Sequence, residues 1–275
     1  MLNVYCTGHR WSEQVCKPFA AGAEAPIVPV SQLLPGDCFF YGALRGTLPT
    51  LRRAQQCGRT WYYGDNGYFR AGKKEGCYFR ITRNDLQHDG SGELPRPHWQ
   101  ARERWERLGL TIQPWRADGG HILICPPARL FGATFGFSAD KWLHMTLKTL
   151  GKYTKRELRV RAKVKFDDTL PYSLVDRKGR PEAPVPTNFT DDLAGAWALV
   201  THSSNVAVEA LLAGVPVFCT DRCGASAMAS NDLHQIENPR MDGNRLKWAS
   251  VLANNQWTLA EMRDGTCWRM LNEAA

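Results

Sequence analysis

The chain of 275 residues carries 35 Lys+Arg against 27 Asp+Glu, a formal charge of +8. With 43% apolar and 23% charged residues it has a globular composition, which excludes a disordered, collagen-like or coiled-coil chain. Its length fits one large domain or two ordinary ones. No run approaches the ~20 apolar residues of a membrane span, and the opening MLNVYCTGHRWSEQVC is too polar for a secretory signal, so a cytoplasmic protein is expected.

In chain order, LNVYC predicts a short strand and DCFFYGALRGT a second, ending in small residues as strand-to-loop transitions do. PTLRRAQQCG fits a helix closed by Gly58. RTWYYGD reads as a buried aromatic strand running into a turn at Gly64-Asp65-Asn66-Gly67. Residues 85–119 form a polar excursion that ends in a short helix. HILICPP then reads as a buried parallel strand. SADKWLHMTLKTLGKY has helical spacing of Trp142, Met145, Leu147 and Leu150, with Ser138 as N-cap and Gly151 at the far end. LRVRAKV alternates as a strand, AWALVTH is another, NVAVEALLAG is a helix capped by Gly214, and VPVFC is a further strand. One last helix is expected over 258–272. This β-α-β-α succession predicts an α/β fold with parallel sheets and crossover helices.

The nine cysteines are an odd number without a short-spaced framework, as expected of reduced, mostly buried thiols. Cys219-x-x-x-Cys223 has His234 downstream but no second pair at finger-like spacing. It reads as two small buried hydrophobes rather than a zinc site.

The segment AWALVTHSSNVAVEALLAGVPVFC is the most informative: an apolar strand ends at His202-Ser203-Ser204-Asn205 and a helix begins at once. Unpaired N–H groups and hydroxyls at a helix start suit a phosphate, and a diphosphate would fit there. The same residue types also cap helices with no ligand at all. Glu209 lies among Val, Ala and Leu, where a carboxylate is costly unless paired or used. It reads either as the acceptor for a nucleotide's ribose hydroxyls or as the partner of an Arg. In KYTKRELRVRAKVK seven basic residues accompany one acidic residue. Alternation puts Arg159, Arg161 and Lys163 on one face, and Arg161 and Lys163 nearest the strand end, where they can neutralise a departing diphosphate. Lys152, Lys155 and Arg156 read as a solvated face.

The string VTHSSNVAVEALLAGVPVF resembles the donor-binding half of GT-B glycosyltransferases, especially capsule-type Kdo transferases and sialyltransferase-like groups. In those families a Ser-Ser at the helix start holds the nucleotide phosphate. Arg161-x-Lys163 resembles the basic strand that precedes it, and the stretch from DLHQIENP to QWTLAEMRDGTCW resembles phage-encoded glycosyltransferase-like proteins. The resemblance covers about 120–268, with only YYGDNGYF and YFRITRN matching earlier. The capsule enzymes are usually larger, so their sugar and acceptor specificity is not carried across. The resemblance implies a GT-B-like fold of two Rossmann-like domains facing an interdomain cleft. It divides the chain into an acceptor-binding domain (1–119), a nucleotide-sugar-binding domain (120–257) and a C-terminal helix (258–275) packing back on the first domain. The implied activity is transfer of a hexosyl or pentosyl group from a nucleotide-sugar cosubstrate, with no tightly bound cofactor; no essential metal is expected, because the adjacent pairs Asp167-Asp168 and Asp191-Asp192 lie in polar segments rather than as a DxD-like pair at a strand end.

An inverting transferase needs a base for the acceptor hydroxyl. Asp65 is the leading candidate, since it follows an aromatic strand and lies between glycines, although a turn Asp beside Asn and Gly is also a common turn-former. His9 and His121 are secondary candidates, with His121 at the domain junction grouped with the donor-binding residues. The first half interleaves Arg45, Arg52, Arg53, Arg59, Arg70, Lys73, Lys74, Arg80 and Arg83 with Trp61, Tyr62, Tyr63, Tyr68 and Phe69. That mixture suits a nucleic-acid backbone and a flipped base, or a core. With the phage-like resemblance it points to hydroxymethylated pyrimidine in DNA as acceptor. A glycan or lipid-linked acceptor and a non-catalytic nucleotide- or nucleic-acid-binding protein are the alternatives.

Overall fold

The structure, a computed structural model, describes residues 1–42, 46–72, 75–92, 98–161, 174–175, 181–182, 188–241 and 243–273. Two units divide the chain: Met1–His88 with Gly92–Leu110 and Ala249–Ala275, and Asp89–Ser91 with Thr111–Trp248. The first contains β1 (Leu2–Cys6), α1 (Arg10–Gly22), β2 (Ile27–Pro29), β3 (Asp37–Tyr41), α2 (Thr47–Gln56), β4 (Trp61–Asn66), β5 (Tyr78–Arg83) and α3 (His98–Arg107). The second contains β6 (His121–Cys125), α4 (Arg129–Phe135), α5 (Ala139–Tyr153), β7 (Glu157–Val160), β8 (Leu174–Val175), β9 (Pro181–Glu182), α6 (Phe189–Leu193), β10 (Ala196–Thr201), α7 (Val206–Leu212) and β11 (Val217–Cys219). Along α8 (Arg245–Asn254) the chain returns to the first unit, which it completes with β12 (Gln256–Thr258), α9 (Leu259–Arg263) and α10 (Thr266–Glu273).

The first unit's sheet has the order β12-β5-β4-β3-β1-β2. Its β2, β1, β3 and β4 run parallel, and β5 is antiparallel to both β4 and β12. Period-2 alternation distributes the aromatics over two faces. Val4, Phe39 and Tyr62 pack with Phe19 of α1 and with Leu259 and Met262 of α9. Tyr5, Phe40 and Tyr63 pack with Leu51 and Ala54 of α2. Burial on both faces explains why these strands are continuously apolar.

Two local expectations are corrected here. The chain does not turn at Gly64: β4 continues to Asn66, and Asp65 pairs in register with Arg80 of β5. A Cβ at Gly64 would stand 3.0 Å from the Phe39 ring, so glycine spares that ring a tight contact. The last helix is two, α9 and α10, broken at Gly265 in the left-handed region with φ +79°.

The second unit's four-stranded sheet is wholly parallel, in the order β11-β10-β6-β7. Ile122, Ile124, Val160, Ala198, Val200 and Phe218 pack one face with Leu150 of α5. Ser138 caps α5 by accepting from Lys141 N–H at 3.1 Å, and Gly151 lies within that helix rather than beyond it. Among the described residues no helix is long and apolar enough to cross a membrane.

Candidate functional site

The chain leaves β6 for β7 on one side and returns to β10 on the other, so the second sheet reverses its winding between β6 and β10. Ligands of open parallel sheets bind beyond the carboxyl ends of strands at such a switch point. There the structure holds Cys125 at the end of β6 and His202-Ser203-Ser204-Asn205 after β10. Thr201 ties the two ends together, its hydroxyl donating to the Cys125 carbonyl at 2.7 Å.

His202, which carried no role in the sequence reading, is the centre of this loop. Its ring stacks on Phe137 at 4.4 Å and 9° and meets the edges of Phe131 and Trp142. Its Nδ1 lies 3.0 Å from the Ser203 hydroxyl and its Nε2 3.8 Å from the Asp221 carboxylate. Burial lowers its pKa, with Asp221 pulling the other way, so the imidazole is neutral at pH 7. A neutral ring offers one donor and one acceptor. Only the fold brings Phe137 and Asp221 to it; the sequence shows a lone histidine.

Ser203 is buried, while Ser204 and Asn205 are half-buried. Asn205 has helical backbone angles, φ −64° and ψ −17°, and makes no side-chain cap bond, so ordinary capping does not account for it. α7 has only seven residues, two turns, so its dipole is short. The hydroxyls and the turn's amides are the groups of this loop that suit an anion. Asp221 also lines a cavity of about 740 Å³, with Asp89, Thr220, Arg222, Ser226 and Arg240 among the other residues of its wall.

Glu209 lies on α7 as an exposed residue. Partial desolvation still raises its pKa, against the pull of Arg161. Arg161 follows β7, ion-pairs with Asp192 and lies 5.6 Å over the Phe189 ring. Lys163 lies outside the described residues. His121 opens β6 at its amino end, away from the switch point. It is buried, with Nε2 3.0 Å from the Asp192 carbonyl, and burial drives its pKa down to about 4. That is a structural setting, and the fold does not bring His121 to Ser203 or Ser204.

In the first unit Asp65 accepts from Arg80 at 3.0 Å and from the Tyr63 hydroxyl at 3.4 Å. His9 caps α1, its Nδ1 accepting from Trp11 N–H at 3.4 Å. Trp61, Tyr62, Tyr63, Tyr68 and Phe69 are all buried, as is Arg80. The interleaved aromatics are core, and the expectation that they stack on a base loses its residues. Arg156, read from sequence as solvated, instead pairs with Glu237 at 3.0 Å and lies 4.3 Å over Trp197. Its place in a run of basic residues gave no sign of this. Among the described residues no three His, Cys, Asp or Glu side chains gather as a metal site.

No family model and no curated protein sequence matches the chain. Solved structures do. The KpsC beta Kdo 2,7 transferase of Thermosulfurimonas dismutans aligns with a TM-score of 0.56 and 15% identity over 98% of both chains. The KpsC beta Kdo 2,4 transferase of the same organism aligns with a TM-score of 0.55 and 13% identity, over 90% of this chain and 89% of that one. The mixed α/β architecture with two parallel-rich sheets is therefore a Rossmann-like fold of the GT-B glycosyltransferase type.

Proposed function

We propose that the chain is a glycosyltransferase that moves a sugar from a nucleotide-sugar donor to a hydroxyl acceptor. The observation that carries this reading is the switch point between β6 and β10 in a GT-B-like fold, where a hydroxyl-rich loop follows β10 and its His202 lies 3.8 Å from Asp221, a residue of the cavity wall. In this reading Ser203, Ser204 and the amides at Asn205 receive the donor's phosphate, and neutral His202 adds a directional hydrogen bond. Glu209, exposed on α7, accepts from ribose hydroxyls. Arg161 and Lys163 offset the charge of the departing nucleotide, stabilising the transition state as glycosidic bond cleavage builds negative charge on phosphate. Asp65 takes the acceptor proton, its carboxylate oriented by Arg80. No metal and no tightly bound cofactor enters the scheme.

For the acceptor we favour a sugar hydroxyl, in keeping with structural neighbours that are Kdo transferases. Hydroxymethylated pyrimidine in DNA is the second reading, and the charge of +8 is the feature that favours it. Heating the protein with a panel of nucleotide sugars, an activated Kdo included, tests the donor. A ligand at one hundred times its Kd adds about 2.7 kcal/mol. Stabilisation by one donor supports the enzyme, whereas an equal response to every polyanion contradicts it. Mass analysis of glycan and of hydroxymethylated DNA incubated with that donor then separates the acceptors.

A further inference from the structure

Cys219 ends β11 and Cys223 lies four residues on, both buried, with their sulfurs 3.1 Å apart. A disulfide needs about 2.05 Å, so a shift of roughly 1 Å would close the bond. The surroundings favour reaction at Cys223. Its sulfur receives the Ser226 hydroxyl at 3.9 Å, and its own N–H donates to that oxygen at 2.8 Å. The hydrogen bond from Cys219 holds the Cys223 thiol below its ordinary range, with help from the Ala225 amide and against burial, while Cys219 is pushed up in return. Cys223 is itself fully buried and absent from the cavity wall, but Cys219 and Ser226, whose side chains contact its sulfur, both line the 740 Å³ cavity, so a small oxidant there stands one side chain away from that sulfur.

We propose that Cys219 and Cys223 are a redox-closing dithiol that a peroxide converts to an intramolecular disulfide in the cavity wall. The Cys223 thiolate attacks one peroxide oxygen, the O–O bond breaks, and hydroxide leaves as Cys223 becomes a sulfenic acid. The Cys219 sulfur then displaces hydroxide from Cys223, its proton joining the departing oxygen, and the S–S bond forms. Two thiols are oxidised and one hydrogen peroxide is reduced to two waters. The closed ring contains Thr220, Asp221 and Arg222, so oxidation stiffens the stretch of wall that carries Asp221 beside His202.

The sequence provides the readout. Trypsin cuts after Arg222, between the two cysteines, so reduced protein yields Cys219 and Cys223 on separate peptides. The full chain is treated with hydrogen peroxide, its remaining thiols are alkylated, and the digest is analysed by mass. We expect the two peptides to appear as one species, lighter than their sum by two hydrogens and split by dithiothreitol. Cys219 and Cys223 both alkylated after peroxide, or either joined to another cysteine, would overturn the proposal. In Cys219→Ser, dimedone is expected to label Cys223, since the resolving sulfur is gone. An unlabelled Cys223 would overturn the order of attack, and the wild-type digest stands even where that variant does not fold.

Discussion

Asp65 is the counterion of Arg80: the two residues face one another across β4 and β5, with guanidinium and carboxylate 3.0 Å apart. Arg80 is buried and also donates to the Asn66 carbonyl at 3.0 Å. Removing the negative charge leaves a buried cation short of its partner. Asp65→Asn is expected to lower unfolding free energy by about 1–3 kcal/mol, read from denaturant curves. If Asp65 is also the base, the same variant loses transfer at saturating donor while donor binding stays unchanged.

Arg104 of α3 holds three groups of the returning chain: the Ala253 and Gln256 carbonyls and the Glu261 carboxylate. Glu261 also completes a capping box with Thr258 at the start of α9. Burial pushes the Glu261 pKa up, but the Arg104 hydrogen bond and charge and the Thr258 amide outweigh it, and the net shift is downward. A carboxylate with a depressed folded pKa contributes stability that is present above its unfolded value, near 4.5, and lost as pH falls through the folded one. Glu261→Gln should therefore flatten the acid limb of stability below about pH 4.5. Arg104→Met should cost roughly 3–5 kcal/mol at pH 7 by orphaning those partners.

His121 acts in a higher window. Its folded pKa of about 4, against 6.5 unfolded, means that protonation favours the unfolded chain. The stability it contributes is complete above pH 6.5 and is lost as pH falls toward 4, by roughly 3 kcal/mol in all. NMR titration of the imidazole should show no protonation at pH 5.5. His121→Gln should remove stability loss between pH 6.5 and 4 while leaving the Glu261 limb intact.

Gly22 ends α1 where α9 crosses it, and a Cβ there would stand 1.9 Å from the Met262 carbonyl oxygen. Backbone oxygen cannot rotate away as a side chain can. Gly22→Ala is expected to cost about 1–3 kcal/mol, seen as a lower thermal midpoint, with Gly58→Ala providing the contrast of a strained but open site.

The fold was legible where periodicity and strand ends coincide with burial. LNVYC, HILIC and AWALVT read as continuous apolar runs because the sheets cover both their faces. Gly-Asp-Asn-Gly is turn chemistry by local preference, and only pairing with β5 overrides it to keep the strand running through Asp65. The break at Gly265 fell inside a sequence with helical composition, and a single glycine gives no warning of where a helix redirects. At the site, the HSSN loop could be found from the strand-to-helix junction. The stacking of Phe137 on His202 and the approach of Asp221 join residues 65 and 19 positions from the histidine, and no local pattern encodes them.

The most direct test of the donor assignment is diffraction from crystals soaked with a nucleoside diphosphate. Phosphate oxygens are expected within hydrogen-bond reach of the Ser203 and Ser204 hydroxyls, beyond the ends of β6 and β10. A nucleotide bound away from those strand ends would contradict the assignment.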